Sequence, residues 1–156
     1  MSIVYRTIDP DNFQEAYKFN LFWEYSWRDS SSAYVADSEN ERNRKTKALI
    51  ANLTRSDRKY HALAAFDDRA MAGVISLDRM IIDKRPACHV QGLWVHPDYR
   101  GRGIARRLKE LSEEWARAMG SEFMDSNVRV DNPTMIRLNE QMGYSVARLN
   151  FRKELR

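Results

Sequence analysis

Apolar residues recur at helical spacing most clearly at Ile104, Leu108, Leu111, Trp115 and Met119, which predicts an amphipathic helix over residues 104–119. Upstream, residues 87–95 read as a strand interrupted by Gly92, where a missing Cβ suggests a bulge or a close backbone approach. Residues 60–66 and 70–82 are apolar runs joined by Asp67-Asp68-Arg69, a hairpin signature. Lys84-Arg85-Pro86 separates the second run from the next strand. At the start of the chain, residues 3–8 alternate weakly and predict a strand. Asp9-Pro10-Asp11 can open a helix, because Asp accepts hydrogen bonds from free N–H groups and Pro tolerates the first turn. Phe13, Ala16, Tyr17, Leu21 and Glu24 fall near one face of that helix, and Ser30, Ser31 and Ser32 make a loop beyond it. A second helix is expected over 37–53, with Leu49, Ile50 and Leu53 as its apolar face. Downstream come a strand over 123–130, a helix over 133–142 capped by Gly143, and a closing strand over 144–155. The predicted order is β-α-α-β-β-β-α-β-α-β, without repeat or linker.

Composition narrows the class. With 156 residues, 43% of them hydrophobic and 11% aromatic, the chain suits one packed domain over 1–156, and disorder is not expected. The formal charge of +4 suits an anionic ligand, with nucleic acid as the other partner a basic protein suggests. The lone cysteine, Cys88, leaves no internal disulfide framework and fits a reducing compartment. No stretch has the length and apolarity of a membrane span or a secretory leader, so a soluble cytoplasmic protein is the expectation.

The most chemically pointed stretch joins the strand at 87–95 to the helix at 104–119: Leu93-Trp94-Val95-His96-Pro97-Asp98-Tyr99-Arg100-Gly101-Arg102-Gly103-Ile104-Ala105-Arg106. Glycines let other groups approach the backbone N–H groups closely. A helix N-terminus adds unpaired donors and the positive end of its dipole, which makes an anion site. Arg100, Arg102, Arg106 and Arg107 concentrate positive charge there, and the combination asks for a phosphate, most readily a diphosphate.

The segment Arg100-Gly101-Arg102-Gly103-Ile104-Ala105 fits the pattern Gln/Arg-x-x-Gly-x-Gly/Ala, and in this the chain resembles the GNAT superfamily of acetyl-CoA-dependent N-acetyltransferases. Val130-Asp131-Asn132-Pro133 and Leu138-Asn139-Glu140-Gln141-Met142-Gly143-Tyr144 look like that family's second signature, a strand, an Asn and a helix ending at Gly-aromatic. The resemblance implies an α/β (α+β) GNAT fold: a central mixed, mostly antiparallel sheet flanked by helices, with strands splayed at the CoA site. It also implies that backbone groups of Leu93 and Val95 hold the pantetheine amides. The N–H groups of Gly101, Gly103, Ile104 and Ala105, with Arg100, Arg102 and Arg106 nearby, take the pyrophosphate. Asn132 contacts the cosubstrate from the other side of the splay. Only about a dozen residues follow Gly143, where the family usually has two strands. An unpaired edge left there suggests a partner chain, hence a homodimer.

Acetyl transfer to a primary amine needs a base, because an alkyl ammonium with a pKa of about 10.4 cannot attack. His89 stands where the family often places a carboxylate or imidazole, and with Gln91 it should face the cleft. The plain alternative is a strand histidine satisfied by a neighbour. At Asn139 most relatives carry a Tyr, the general acid to the departing thiolate. Asn can donate a hydrogen bond but delivers no proton at neutral pH. Water or Tyr144 is the substitute. Trp23, Glu24, Trp27 and Asp29, beside Tyr25 and Tyr34, would wall the acceptor side and suit a cationic amine. Equally, these aromatics suit the core and the acids a solvated rim. Cys88 reads as a small core residue, His96 as a loop-fixing group, His61 as structural, and the methionines as core filling. No spacing of His, Cys and carboxylates proposes a metal site. The leading expectation is an N-acetyltransferase using acetyl-CoA on a small-molecule or peptide amine. A non-catalytic acyl-CoA-binding sensor is the alternative, and nucleic-acid binding through the short Arg-Gly loop is set aside.

Overall fold

A computed structural model describes residues 2–156. Contact density divides the chain into two compact units, one running to Ser126 and the other Asn127–Arg156. The first unit holds five strands in the order β1-β2-β3-β4-β5. These are β1 (Ile3–Thr7), β2 (Tyr60–Asp67), β3 (Ala70–Ile82), β4 (Arg85–Val95) and β5 (Phe123–Ser126). Neighbours pair antiparallel except β4 and β5, which run parallel, so the sheet is mixed and mostly antiparallel as expected. Three helices belong to this unit: α1 (Phe13–Ser30), α2 (Glu39–Leu53) and α3 (Ile104–Ala118).

Two apolar layers follow from strand alternation. Val74 and Trp94 face Phe19 and Phe22 of α1 and Leu49 of α2. Their neighbours Ile75 and Val95 point the other way, against Ile104, Leu108 and Ala116 of α3. Helix α1 starts later and runs further than its sequence suggests. Asn12, not Asp9 or Asp11, is its cap, with Oδ1 accepting from the Glu15 N–H at 3.1 Å. Its inward face is Ala16, Phe19, Phe22 and Glu24, while Phe13, Tyr17 and Leu21 are only half-buried. The aromatic stretch from Phe22 continues the helix instead of leaving it. For α2, Ser38 Oγ accepts from the Glu41 N–H, a serine cap placed three residues before a Glu.

In the second unit, α4 (Pro133–Gln141) begins on Asn132, whose Oδ1 accepts from the Met135 N–H at 3.2 Å, with Pro133 in the first turn. The strand expected over 123–130 stops at Ser126, and no strand is assigned over 144–155.

Candidate active site

The site begins where β4 leaves β5. Their parallel pairing runs from Ala87 opposite Phe123 to Val90 opposite Ser126 and then ends, while β4 continues to Val95. Along Gln91–Val95, among the described residues of this unit, no strand pairs with β4 on that side, which is the expected splay. The bulge that bends β4 falls at Gln91, the extra residue between Val90 (opposite Leu77) and Gly92 (opposite Ser76), and not at Gly92 itself. Gly92 has a different reason to lack a side chain. A Cβ there would lie 2.4 Å from the Trp23 ring, so the indole rests directly on the strand backbone.

His89 lies one rung before the end of the pairing. Its neighbours Cys88 and Val90 face α3, so His89 faces the α1–α2 side. There its Nδ1 is 2.6 Å from Asp125 Oδ2, the residue paired with it on β5. Both side chains are largely buried, at 15% and 13% exposure. Asp78, paired with His89 on the β3 side, accepts from Gln91 Nε2 at 3.4 Å. His89 thus has the satisfying neighbour of the plain reading. That neighbour is a carboxylate, which holds one ring nitrogen and leaves Nε2 for other work. Asp125 was not marked by the sequence, because only strand register brings it beside His89.

Between β4 and α3 the chain makes a short 3-10 turn over Pro97–Tyr99, capped by His96 Nδ1 accepting from the Asp98 N–H. Tyr99 ties this turn to the β2–β3 hairpin by donating to Asp67 Oδ2 at 3.1 Å. His96 is a loop-fixing residue, as its position suggests. Gly101 and Gly103 then take positive φ of 72° and 79°. No atom lies within 4 Å of where their Cβ atoms would be. Helix α3 starts on Gly103 with no side-chain cap, so the first-turn N–H groups keep their donors for an outside acceptor. The four arginines divide here. Arg100 donates from Nε to the Val95 carbonyl at 2.9 Å and lies 3.7 Å from Asp29, so it buttresses the loop while its side chain stays 52% exposed. Arg107 pairs with Glu110 and Glu114. Arg102 sits over the Tyr99 ring at 5.5 Å and is exposed, and Arg106 is half-buried on the first turn.

The expected acceptor wall changes most. The Glu24 carboxylate is buried and already taken: it accepts from Arg42 at 2.9 Å, from the Tyr34 hydroxyl at 2.6 Å and from the Asp37 N–H at 2.9 Å. Arg42 above all, against the cost of burial, holds it down to about pKa 2. Neither an acceptor ligand nor a solvated rim describes it. Asp29 accepts from Trp94 Nε1 at 2.9 Å and pairs with Arg28, which ties the end of α1 to β4. Trp27 is exposed and packs edge-on against Tyr34. Of the four, Trp23 alone lies directly against the β4 backbone at the splay. Asn132 acts as the cap of α4, so its oxygen is occupied. Asn139 lies on α4 with a buried Oδ1 that has no hydrogen-bond partner. Cys88 is buried, and burial pushes its thiol up to about 12, which suits a core residue and not a nucleophile. Among the described residues no cluster of His, Cys, Asp and Glu has metal-binding geometry.

A mixed sheet whose parallel pair splays beside a glycine turn and an uncapped helix is the arrangement of the GNAT acyltransferase fold. The chain belongs to the acetyltransferase (GNAT) family, whose profile matches residues 5–144. Over 59 residues, 38% of this chain and 40% of the relative, it is 32% identical to an aminoglycoside N(6')-acetyltransferase type 1 from Acinetobacter genomosp. 13. Over 54 residues, 35% of this chain and 38% of the relative, it is 43% identical to an acetyltransferase of Sodalis glossinidius. The chain therefore spans well under half the length of these curated relatives. A crystal structure of an aminoglycoside acetyltransferase from an uncultured soil sample, in complex with sisomicin, superposes with a TM-score of 0.75 at 9% identity, covering 99% of this chain and 97% of that one. The ribosomal-protein-alanine N-acetyltransferase of Brucella melitensis superposes with a TM-score of 0.70 at 17% identity, covering 99% of both chains. At such identities these structures establish the fold.

Proposed function

We propose that the protein transfers an acetyl group from acetyl-CoA to a primary amine by direct attack of the amine on the thioester. The observation that carries this is the His89–Asp125 pair on the last rungs before β4 and β5 part. Acetyl-CoA supplies the activated acyl group and a thiolate leaving group. The residues present fit it: the uncapped first turn of α3 and the open space over Gly101 and Gly103 suit a pyrophosphate. Arg102 and Arg106 stand beside them, and the unpaired β4 edge at Leu93 and Val95 offers amide partners for the pantetheine. Arg100 holds the loop in place through the Val95 carbonyl.

His89 is the base in this reading. Asp125 accepts from Nδ1–H and so fixes the tautomer that leaves Nε2 to take the proton of the incoming ammonium. Trp23 offers the acceptor a flat aromatic surface at the splay, suited to a cation. Trp27 and Asp29 lie further along α1 at the rim. In the family's second signature Asn139 stands at the sequence position of the usual Tyr and cannot deliver a proton, so water or Tyr144 is the candidate donor to the thiolate. A thiol with a pKa of about 8.5 is a fair leaving group without such help. The aminoglycoside acetyltransferase relative supports a polycationic small molecule as acceptor, ahead of a peptide amine. CoA chemistry and a lone buried cysteine suit the cytoplasm.

Thiol release from acetyl-CoA over a panel of polyamines, aminoglycosides and peptide amines tests the reading. Turnover with at least one amine is expected. His89→Ala should cost on the order of 10²-fold or more in kcat. Asp125→Asn should lower kcat by less, with little change in KM for acetyl-CoA. CoA binding without turnover on any amine would instead establish the sensor reading, which the absence of an acid at Asn139 favours.

A further inference from the structure

We propose, resting on the transferase reading of the same site, that Asp78 receives a second ammonium group of the acceptor and so selects short diamines and polyamines. Ile75 and Leu77 of β3 face α3, so by strand alternation Ser76 and Asp78 face the α1–α2 side, the side of His89. Asp78 is the residue paired with His89 across β3 and β4, on the flank of the ring opposite Asp125. Its side chain is 22% exposed and loosely engaged. Gln91 Nε2, a neutral donor, reaches Oδ2 at 3.4 Å, and Lys59 Nζ stands 3.9 Å from Oδ1 on a side chain 50% exposed. Both distances exceed the roughly 2.7–2.9 Å of a full charge-assisted hydrogen bond, which leaves the carboxylate capacity for an incoming ammonium. On the next rung toward the splay, Ser76 is fully buried and its Oγ has no hydrogen-bond partner. Ser76 pairs with Gly92, where the Trp23 ring rests. A carboxylate with spare capacity, an orphaned hydroxyl and an indole face thus line one strip of the sheet beside the base.

The acids that the sequence offered for this purpose are already taken. Glu24 is held by Arg42, Tyr34 and the Asp37 N–H, and Asp29 by Trp94 and Arg28. Asp78 differs from both in its long contacts and in its place on the rung of the base. Paired side chains start roughly 4.5–5.5 Å apart at Cβ, a span that about three or four carbons between two amines bridge. One amine then meets Nε2 of His89 while the other, still protonated, pairs with Asp78. The Trp23 face beside them suits the same cation. A monoamine of equal length fills the reacting position and leaves Asp78 with Gln91 and Lys59 alone.

Putrescine and butylamine share a carbon chain and differ by one amine, so together they test this. With acetyl-CoA, kcat/KM for putrescine should exceed that for butylamine by about tenfold or more. Asp78→Asn keeps the shape of the side chain and should remove most of that advantage, with KM for acetyl-CoA and kcat/KM for butylamine nearly unchanged. Calorimetric titration of putrescine into the CoA-loaded protein reads recognition without turnover. There Asp78→Asn should weaken binding by about tenfold or more. If that variant does not fold, the comparison of the two amines on the unaltered chain decides alone. Putrescine binding that depends on Asp78, without turnover of any amine, would uphold the role of Asp78 and overturn the transferase reading. Turnover without preference for putrescine, or a preference that survives Asp78→Asn, would overturn the role of Asp78 and leave the transferase reading standing. An equal loss for both amines would also overturn it, since Asp78 would then support His89 and not the acceptor. Neither turnover nor putrescine binding would overturn both.

Discussion

Glu24 shows how a residue's chemistry is set by its neighbours. Read along the chain, it is one acid in an aromatic stretch and suits a cationic ligand. Folded, it is the buried centre of a knot that joins α1 to α2 through Arg42 and to the intervening loop through Tyr34 and Asp37. Glu24→Gln removes the charge while keeping the shape, and leaves Arg42, itself 28% exposed, without its partner. The expected cost is about 1–3 kcal/mol of stability in urea denaturation, since hydrogen bonds to charged groups lie in that range. KM for the amine should stay within about twofold, well under the 1.4 kcal/mol that a tenfold change represents. A large rise in that KM with unchanged stability would return Glu24 to the acceptor site.

At the scale of elements, the turn between β4 and α3 separates two kinds of arginine that look alike in sequence. Arg102→Glu reverses a charge beside the uncapped helix start, so KM for acetyl-CoA should rise at least tenfold, about 1.4 kcal/mol, with KM for the amine nearly unchanged. Arg100→Gln should act through the loop that Arg100 ties to Val95, lowering the melting temperature as well as the affinity for CoA. Initial-rate kinetics and thermal melts on the two variants separate these effects. Elements with strong periodicity, such as α3 and the β2–β3 hairpin, were legible from apolar spacing, and the glycine turn from its composition. Less legible were features that depend on register. Asp125 meets His89 because β5 lies parallel to β4 in one register, and no local pattern encodes that. The bulge at Gln91 and the Trp23 contact at Gly92 share one sequence signal, a glycine in a strand, which does not say which of the two it marks.

Across the whole molecule, buried titratable groups fix how stability depends on pH. His61 lies stacked on Trp115, with rings 4.3 Å apart and 3° from parallel, and burial lowers its pKa from 6.5 to about 4. Below pH 6.5 the unfolded chain takes up a proton there that the folded chain refuses, so stability falls as pH drops from 6.5 toward 4. Glu24 extends the loss: its pKa is held down from 4.5 to about 2, and the stability it provides disappears as pH falls through that window. On the alkaline side Cys88 and Tyr60, both raised to about 12 by burial, keep protons that the unfolded chain releases from pH 9 and 10 upward, which lowers stability there. Buried Lys109, lowered to about 8, pulls the opposite way between pH 8 and 10.5 and softens that limb. The melting temperature should therefore fall as pH drops below about 6.5, be highest near pH 9–10, where the opposing effects of Lys109 and Cys88 cancel, and fall again above about pH 10. His61→Phe keeps an aromatic ring against Trp115 and removes the titration. Its melting temperature should vary much less than that of the unaltered protein between pH 6.5 and 4.5, and both should still lose stability below pH 4, where Glu24 protonates. Parallel melting curves for the two proteins down to pH 4.5 would show that His61 takes up its proton without unfolding.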